Sequence, residues 1–263
     1  MSVLRPIGIL GGMGPKATVH LMQRVIDAVP ANDDSDHIPL IVDQNPQVPS
    51  RIAHLIEGRC GDPTPVLVAM AQRLENAGVQ ALAMPCNTAH HFAPQIRAAV
   101  RIPFLNMVEL AVQEAAAHCV ESRKVGVLSS PALRQVGLFD KALEEAGLEA
   151  VYPDDDAAML AAIRQIKAEG PHSIARTTLA TASSELLKKR AEIQLIACTE
   201  FSTIARHLPK EVRRVDTLDC LVKGILTFAK GQPHSKNSFD ARRSRASEQQ
   251  YQTDQQGKEE YLC

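Results

Sequence analysis

Ile7-Gly8-Ile9-Leu10-Gly11-Gly12-Met13-Gly14-Pro15, residues 7–15, runs from a strand-length apolar segment through glycines into a proline. The first turn of a helix leaves its N–H groups unpaired, so a proline fits there, and Pro15 reads as the start of a helix. Val19, Met22, Val25, Ile26 and Val29 then recur at helical period. Further along, Ile38–Val42 and Val79–Met84 are apolar runs, separated by a helical pattern at Leu67, Met70, Leu74 and Ala77 that Gly78 closes. The order is βαβαβ, and the absence of period-2 alternation marks buried parallel strands.

A second series begins near Lys124. It reads Val125–Leu128, a helix from Pro131 to Ala146, a short strand Glu149–Tyr152, a helix from Asp154 to Glu169, then Ile193–Ala197. Gly8-Ile9-Leu10-Gly11 aligns with Gly126-Val127-Leu128-Ser129, 118 residues on, and Val79 aligns with Ile193, 114 residues on. The chain is therefore expected to be α/β with two pseudo-symmetric lobes, each a parallel sheet flanked by helices, and an active site in the inter-lobe cleft. Residues 1–105 with 206–232 are assigned to the first lobe, and 106–205 to the second. A last amphipathic helix spans Thr217 to Lys230, after which composition breaks: residues 233–263 hold one Leu and no Val, Ile or Met. Such a segment cannot bury enough apolar surface to order itself, so a disordered tail is predicted.

Composition narrows the partners. The 263 residues are 45% hydrophobic and 22% charged, as in a folded globular chain, and the formal charge of −1 offers no basic field for nucleic acid. Aromatic residues are 3% with no Trp, which leaves few platforms for stacking bases. No stretch of about 20 apolar residues reads as a membrane span, and the first residues carry no leader pattern. Six scattered cysteines lack paired metal-ligand spacing and disulfide density, which fits a reducing cytoplasm.

The third strand of each half ends in a cysteine: Met84-Pro85-Cys86-Asn87-Thr88 and Ala197-Cys198-Thr199-Glu200. Ligands of open parallel sheets bind beyond the carboxyl ends of the strands, so facing lobes bring Cys86 and Cys198 to one cleft. A thiolate can take a proton from carbon and a thiol can return one to the opposite face, which is two-base inversion by a racemase or epimerase. Other readings stand beside it. A strand-end cysteine can be a small buried hydrophobe, the two can form a disulfide, and Cys86 with His90 and His91 can bind a metal. Gly12-Met13-Gly14-Pro15-Lys16-Ala17 also fits a dinucleotide-binding loop with Asp43 as ribose acid, although Asp43 lies 29 residues past Gly14. An NAD(P)-dependent oxidoreductase is thus one alternative, and a non-catalytic carboxylate-binding protein another. The same loop can cradle a carboxylate by its N–H groups, and Arg51 can grip one with its guanidinium.

At these residues the sequence resembles the aspartate/glutamate racemase family, in its aspartate racemase branch. The resemblance rests on Gly8 to Pro15 with Ala17-Thr18, Asn45-Pro46-Gln47-Val48-Pro49 with Arg51, Pro85 to His90, and Cys198-Thr199-Glu200. It spans residues 5 to about 230. It implies two α/β lobes, no pyridoxal phosphate or metal cofactor, a small amino-acid substrate and a homodimer. Cys86 and Cys198 take the catalytic acid/base positions. Met13, Gln47, Asn87, Thr88, Ser130 and Thr199 line the substrate, Arg51 and Lys167 hold carboxylates, and Glu200 poises the second thiol. Ser50 stands where many relatives have Asp, and Ser129-Ser130 where relatives often have threonines.

Overall fold

The computed structural model describes residues 4–232. Two four-stranded sheets, every pairing parallel, form the centres of two lobes. The first contains β1 (Ile7–Gly11), β2 (Leu40–Gln44), β3 (Ala81–Ala83) and β4 (Phe104–Leu105) in the order β2-β1-β3-β4. In the second, β5 (Lys124–Ser129), β6 (Glu149–Val151), β7 (Ile193–Ala197) and β8 (Arg214–Asp216) stand in the order β6-β5-β7-β8. The two orders are the same.

The helices of the first half are α1 (Pro15–Asp27), α2 (Arg51–Leu55), α3 (Thr64–Asn76) and α4 (Ala93–Ala99). Then come α5 (Met107–His118), α6 (Pro131–Gln135), α7 (Leu138–Glu145), α8 (Asp156–Glu169), α9 (Ser173–Lys188), α10 (Thr199–Ser202) and α11 (Thr217–Ala229). Both faces of each sheet are covered, which is why β1 and β7 are buried along their whole length and read as continuous apolar runs.

Register fixes the internal correspondence. Ile7 pairs with Ala81 and Val125 with Ile193, so the third strands are related by 112 residues, and Val79 corresponds to Ala191. The sequence alignment of Val79 with Ile193 was two residues out. A slip of two preserves the inward and outward faces of a strand, so hydrophobicity alone does not reveal it. The correspondence extends to packing. A Cβ on Gly8 would meet Val79 Cγ2 and Leu82 Cδ2 at 2.9 Å and Leu74 Cβ at 3.2 Å; one on Gly126 would meet Leu186 Cδ1 at 2.7 Å and Ala191 Cβ at 3.2 Å. Leu74 and Leu186 occupy corresponding places on α3 and α9, and each helix lies against its sheet at a glycine.

Three expectations are corrected. The helix expected from Pro131 to Ala146 is two helices, because Gly137 adopts φ +60° between them. Residues 206–232 do not all join the first lobe: β8 pairs with β7 in the second sheet, and the chain returns only with α11. Leu218, Leu221, Val222 and Ile225 of that helix pack with Ile7, Ile9 and Leu21. The strand expected to begin the third position of the first half is shorter, Ala81–Ala83. The tail at 233–263 lies outside the described residues.

Candidate active site

Cys86 follows β3 and Cys198 follows β7, so both leave the carboxyl ends of their sheets. They line one cavity of about 20 Å3 between the lobes. From the first lobe it is walled by Met13, Ile52, Cys86, Asn87 and Thr88, and from the second by Ser130, Ile163, Lys167, Ala197, Cys198, Thr199 and Glu200. Nine of these are residues singled out in the sequence. Ile52, Ile163 and Ala197 were not; Ile163 sits one turn before Lys167 on α8, so the helical period alone could have found it.

The second thiol is the more enclosed. Cys198 Sγ donates to Glu200 Oε2 at 3.0 Å, and Lys167 Nζ lies 3.5 Å from Glu200 Oε1. Burial, then the adjacent Glu200 charge, push the Cys198 thiol well above its ordinary range, so it holds its proton. Lys167 responds to opposing causes. Burial pulls its ammonium down, but nearby negative charge, that of Glu200 foremost, outweighs it and holds the value above the ordinary one.

Hydrogen bonds tie the walls together. Thr199 Oγ1 donates to Pro85 O across the cleft at 3.0 Å, and Thr88 Oγ1 lies 3.3 Å from Ser130 Oγ. Asn87 Nδ2 donates to Thr217 Oγ1 at 2.9 Å, and that hydroxyl donates to Ile196 O at 3.0 Å. Asn87 Oδ1 is buried with no partner among the described residues. Thr217, wholly buried at the start of α11, was not a sequence candidate, since its partner Asn87 lies 130 residues away.

Two predicted residues do not reach the wall. Gln47 is exposed, its N–H donating to Asn45 Oδ1 at 3.0 Å in a turn. Arg51 is half-buried, with one guanidinium nitrogen donating to Val48 O at 3.1 Å and Pro49 O at 2.8 Å, while its buried Nε has no partner among the described residues. Ser50 caps α2 by accepting from Ala53 N at 3.2 Å.

The competing sequence readings meet specific obstacles. Asp43 is engaged by Arg73 at 2.7 Å, and the Gly12 N–H donates to Thr18 Oγ1 at 2.9 Å, so neither is offered to a dinucleotide or to a carboxylate. Gly12 is required because a Cβ there would lie 2.3 Å from the Asn45 carbonyl carbon. His90 has both ring nitrogens occupied, Nδ1 donating to Cys86 O at 2.8 Å and Nε2 accepting from Met107 N at 3.0 Å. It is therefore neutral, with no lone pair left for a metal.

Known proteins share this fold. Picrophilus torridus aspartate racemase superposes with a TM-score of 0.77 at 25% identity, covering 86% of this chain and 94% of its own. An aspartate racemase homologue from Pyrococcus horikoshii OT3 superposes with a TM-score of 0.70 at 20% identity, covering 86% of this chain and 100% of its own. The fold is thus that of the two-lobed α/β isomerases of the amino-acid racemase class. In sequence, the broad specificity amino-acid racemase RacX of Bacillus subtilis (strain 168) is 30% identical over 230 residues, 84% of this chain and 96% of that one. The family description Asp/Glu/hydantoin racemase matches residues 10–225, and the chain belongs to that family.

Proposed function

We propose that this protein inverts the α-carbon of an acidic amino acid, aspartate foremost, with Cys86 and Cys198 as the two bases. The carrying observation is that both thiols line a single cavity, one from each lobe. One thiolate removes the α-hydrogen as a proton, leaving the electron pair on carbon and in the α-carboxylate. The opposite thiol gives its proton to the other face, so thiol and thiolate exchange places and no net proton is consumed. The reverse enantiomer runs the same steps with the roles swapped.

The surrounding groups fit these steps. Cys198, protonated against Glu200, is set as the donor in this state, and Glu200 is placed to relay a proton back to it between turnovers. Lys167 supplies positive charge to a substrate carboxylate, and charge developing in the transition state gains most in such an enclosed site. Asn87 Oδ1 offers an acceptor to the substrate ammonium. Arg51 lies near enough for its charge to oppose that of Lys167, and would serve a second carboxylate once its carbonyl contacts are exchanged. A cavity of about 20 Å3 is smaller than an amino acid, so in the proposed reaction the lobes part to admit the substrate. Met13, Thr88, Ser130 and Thr199 complete the wall, with Gln47 reaching it only on such movement. The family resemblance adds a homodimer acting in the cytoplasm, which light scattering of the purified protein checks for assembly.

Proton NMR in D2O with L- and D-aspartate, L- and D-glutamate and neutral amino acids, without added cofactor, tests the reading. Loss of the α-proton signal with formation of the other enantiomer is expected. Cys86→Ser and Cys198→Ser should each abolish inversion while leaving α-exchange of one enantiomer. Binding without exchange would instead make the protein a carboxylate receptor, and a single mutant that still racemises would remove the two-thiol mechanism.

A further inference from the structure

Four residues after each cysteine, a side chain reaches back to that cysteine's carbonyl. In the first lobe it is His90, whose Nδ1 donates to Cys86 O at 2.8 Å. In the second it is Ser202, whose N–H donates to Cys198 O at 3.1 Å and whose hydroxyl lies 3.4 Å from the same oxygen. His90 and Ser202 are 112 residues apart, the same interval as Cys86 and Cys198 and as the paired third strands.

Their far ends also correspond. His90 Nε2 accepts from Met107 N, the first residue of α5 after β4. The Ser202 hydroxyl has Asp216 Oδ1 as its shorter partner, at 2.7 Å, and Asp216 caps α11 after β8 by accepting from Leu218 N at 3.0 Å. Phe104 and Arg214 are register equivalents, 110 residues apart, and so are Met107 and Thr217. Each cysteine loop is therefore strapped to the helix that follows the fourth strand of its own sheet.

The straps are built of different chemistry. His90 is almost fully buried and packs against Phe104 at 5.4 Å between ring centroids. Asp216 is held by Arg24 of α1 at 2.9 Å, and the same guanidinium donates to Ser202 O at 3.2 Å. Arg24 thus reaches from the first lobe to the last turn of the helix that begins beside Cys198. A buried ion pair adds little net stability over an apolar pair of similar volume, so its value here lies in fixing geometry.

We propose that His90 and Ser202 are paired positioning residues, His90 setting the reach of Cys86 and Ser202, locked by Asp216 and Arg24, setting that of Cys198. This rests on the two-thiol reading above. Each brace acts on one thiol and therefore on one face of the substrate. Because the equilibrium constant of a racemisation is unity, kcat/KM must fall equally for both enantiomers in any variant. The primary isotope effect does not share that constraint. When one thiol's proton transfer is slowed, the effect grows with the α-deuterated enantiomer from which that thiol abstracts and shrinks with the other.

The test uses α-deuterated L- and D-aspartate with the wild-type protein, His90→Leu, His90→Asn, Ser202→Ala and Ser202→Thr, each checked by thermal melting. A displaced thiol is expected to lower kcat by about 10- to 100-fold. His90→Leu should raise the isotope effect with one enantiomer, the one marked by loss of exchange in Cys86→Ser, and Ser202→Ala should raise it with the other. The amide introduced by His90→Asn can replace the donation to Cys86 O, and Ser202→Thr keeps the hydroxyl, so these two variants should recover much of the rate. Opposite asymmetries support the proposal. Equal isotope effects with slowed turnover, asymmetry of the same sense in both variants, or unchanged rates overturn it. Should His90→Leu fail to fold, Ser202→Ala decides the matter: an isotope effect raised with the enantiomer whose exchange is lost in Cys198→Ser supports the proposal, and a symmetric or unchanged effect overturns it. A wild-type protein that neither exchanges nor inverts aspartate overturns the two-thiol reading and the braces together, a result distinct from symmetric variants of an active enzyme.

Discussion

Thr199, the residue after the second cysteine, donates its hydroxyl to the carbonyl of Pro85, the residue before the first, at 3.0 Å. The chain positions are 114 apart and the bond is buried, so the two cysteine loops hold each other in place across the cleft. Thr199→Val keeps the shape and removes the donor, leaving Pro85 O buried without its partner. The loss should be about 1–3 kcal/mol, read as a lower unfolding midpoint in urea, with turnover reduced. Thr199→Ser should restore both; an unchanged midpoint in Thr199→Val would remove the bond from the list of closure contacts.

Glu200 is expected to set the alkaline side of the pH profile. Burial and then the Glu200 charge hold the Cys198 proton on, and the Glu200 charge helps keep Lys167 protonated despite burial. In Glu200→Gln both groups lose a charge that favours protonation, so both release protons at lower pH. The falling alkaline limb of kcat/KM should move toward neutrality, and kcat should drop about 100-fold if Glu200 also relays the proton. Glu200→Asp, retaining the charge, should keep the limb near its original place.

His90 makes stability depend on acidity. Burial drives its value down to about 4, from an ordinary 6.5. The unfolded chain therefore takes a proton below pH 6.5 that the folded chain refuses until about pH 4. Stability is full above that window and falls through it as pH is lowered, by about 3 kcal/mol at the low end. Urea unfolding at several pH values should show this slope, and it should flatten in His90→Asn. Equal slopes in the two proteins would mean that other groups carry the acid sensitivity.

Gly8 and Gly126 should be matched in their intolerance. An added methyl at either place meets side-chain atoms at 2.9 Å or closer and a leucine Cβ of α3 or α9 at 3.2 Å, so the packing there must give. Gly126→Ala is expected to cost about 1–3 kcal/mol, measured by denaturant unfolding, and Gly8→Ala a similar amount. A neutral result at Gly126 would show that the Leu186 side chain can turn aside without moving its helix.

Much of the fold was legible because buried parallel strands announce themselves. Ile7 to Leu10 and Ile193 to Ala197 are apolar without interruption, and Pro15 marks a helix start that the structure keeps. β4 was not legible: at two residues, Phe104 and Leu105, it is shorter than any pattern. α9 escaped because its face is rich in Ser, Thr and Ala, which give little periodic contrast. At the site, the strand-end cysteines could be read because β-sheet topology dictates where such ends meet. Arg51 and Gln47 were harder. Their loop turns on its own backbone, and only coordinates reveal that the guanidinium is engaged by Val48 and Pro49. The His90 bond to Met107 was equally hidden, since nothing in the spacing of 17 residues distinguishes it.

The matching strand orders of the two sheets carry a geometric consequence. Exchanging one half of the molecule for the other is a rotation, whereas the two forms of a racemase substrate are related by reflection. No rotation turns a left hand into a right one. Under the proposed mechanism the likeness of the halves can therefore extend to the two thiols and to their supports, which would address the shared plane of a flattened carbon. It must end at whatever grips the remaining substituents, because these have to be held the same way while the hydrogen changes sides. Lys167, with its partner Glu200 at 3.5 Å, stands on that unlike part of the wall, and at the position of Glu200 the first half carries Thr88. Chirality demands that imperfection in an otherwise duplicated architecture.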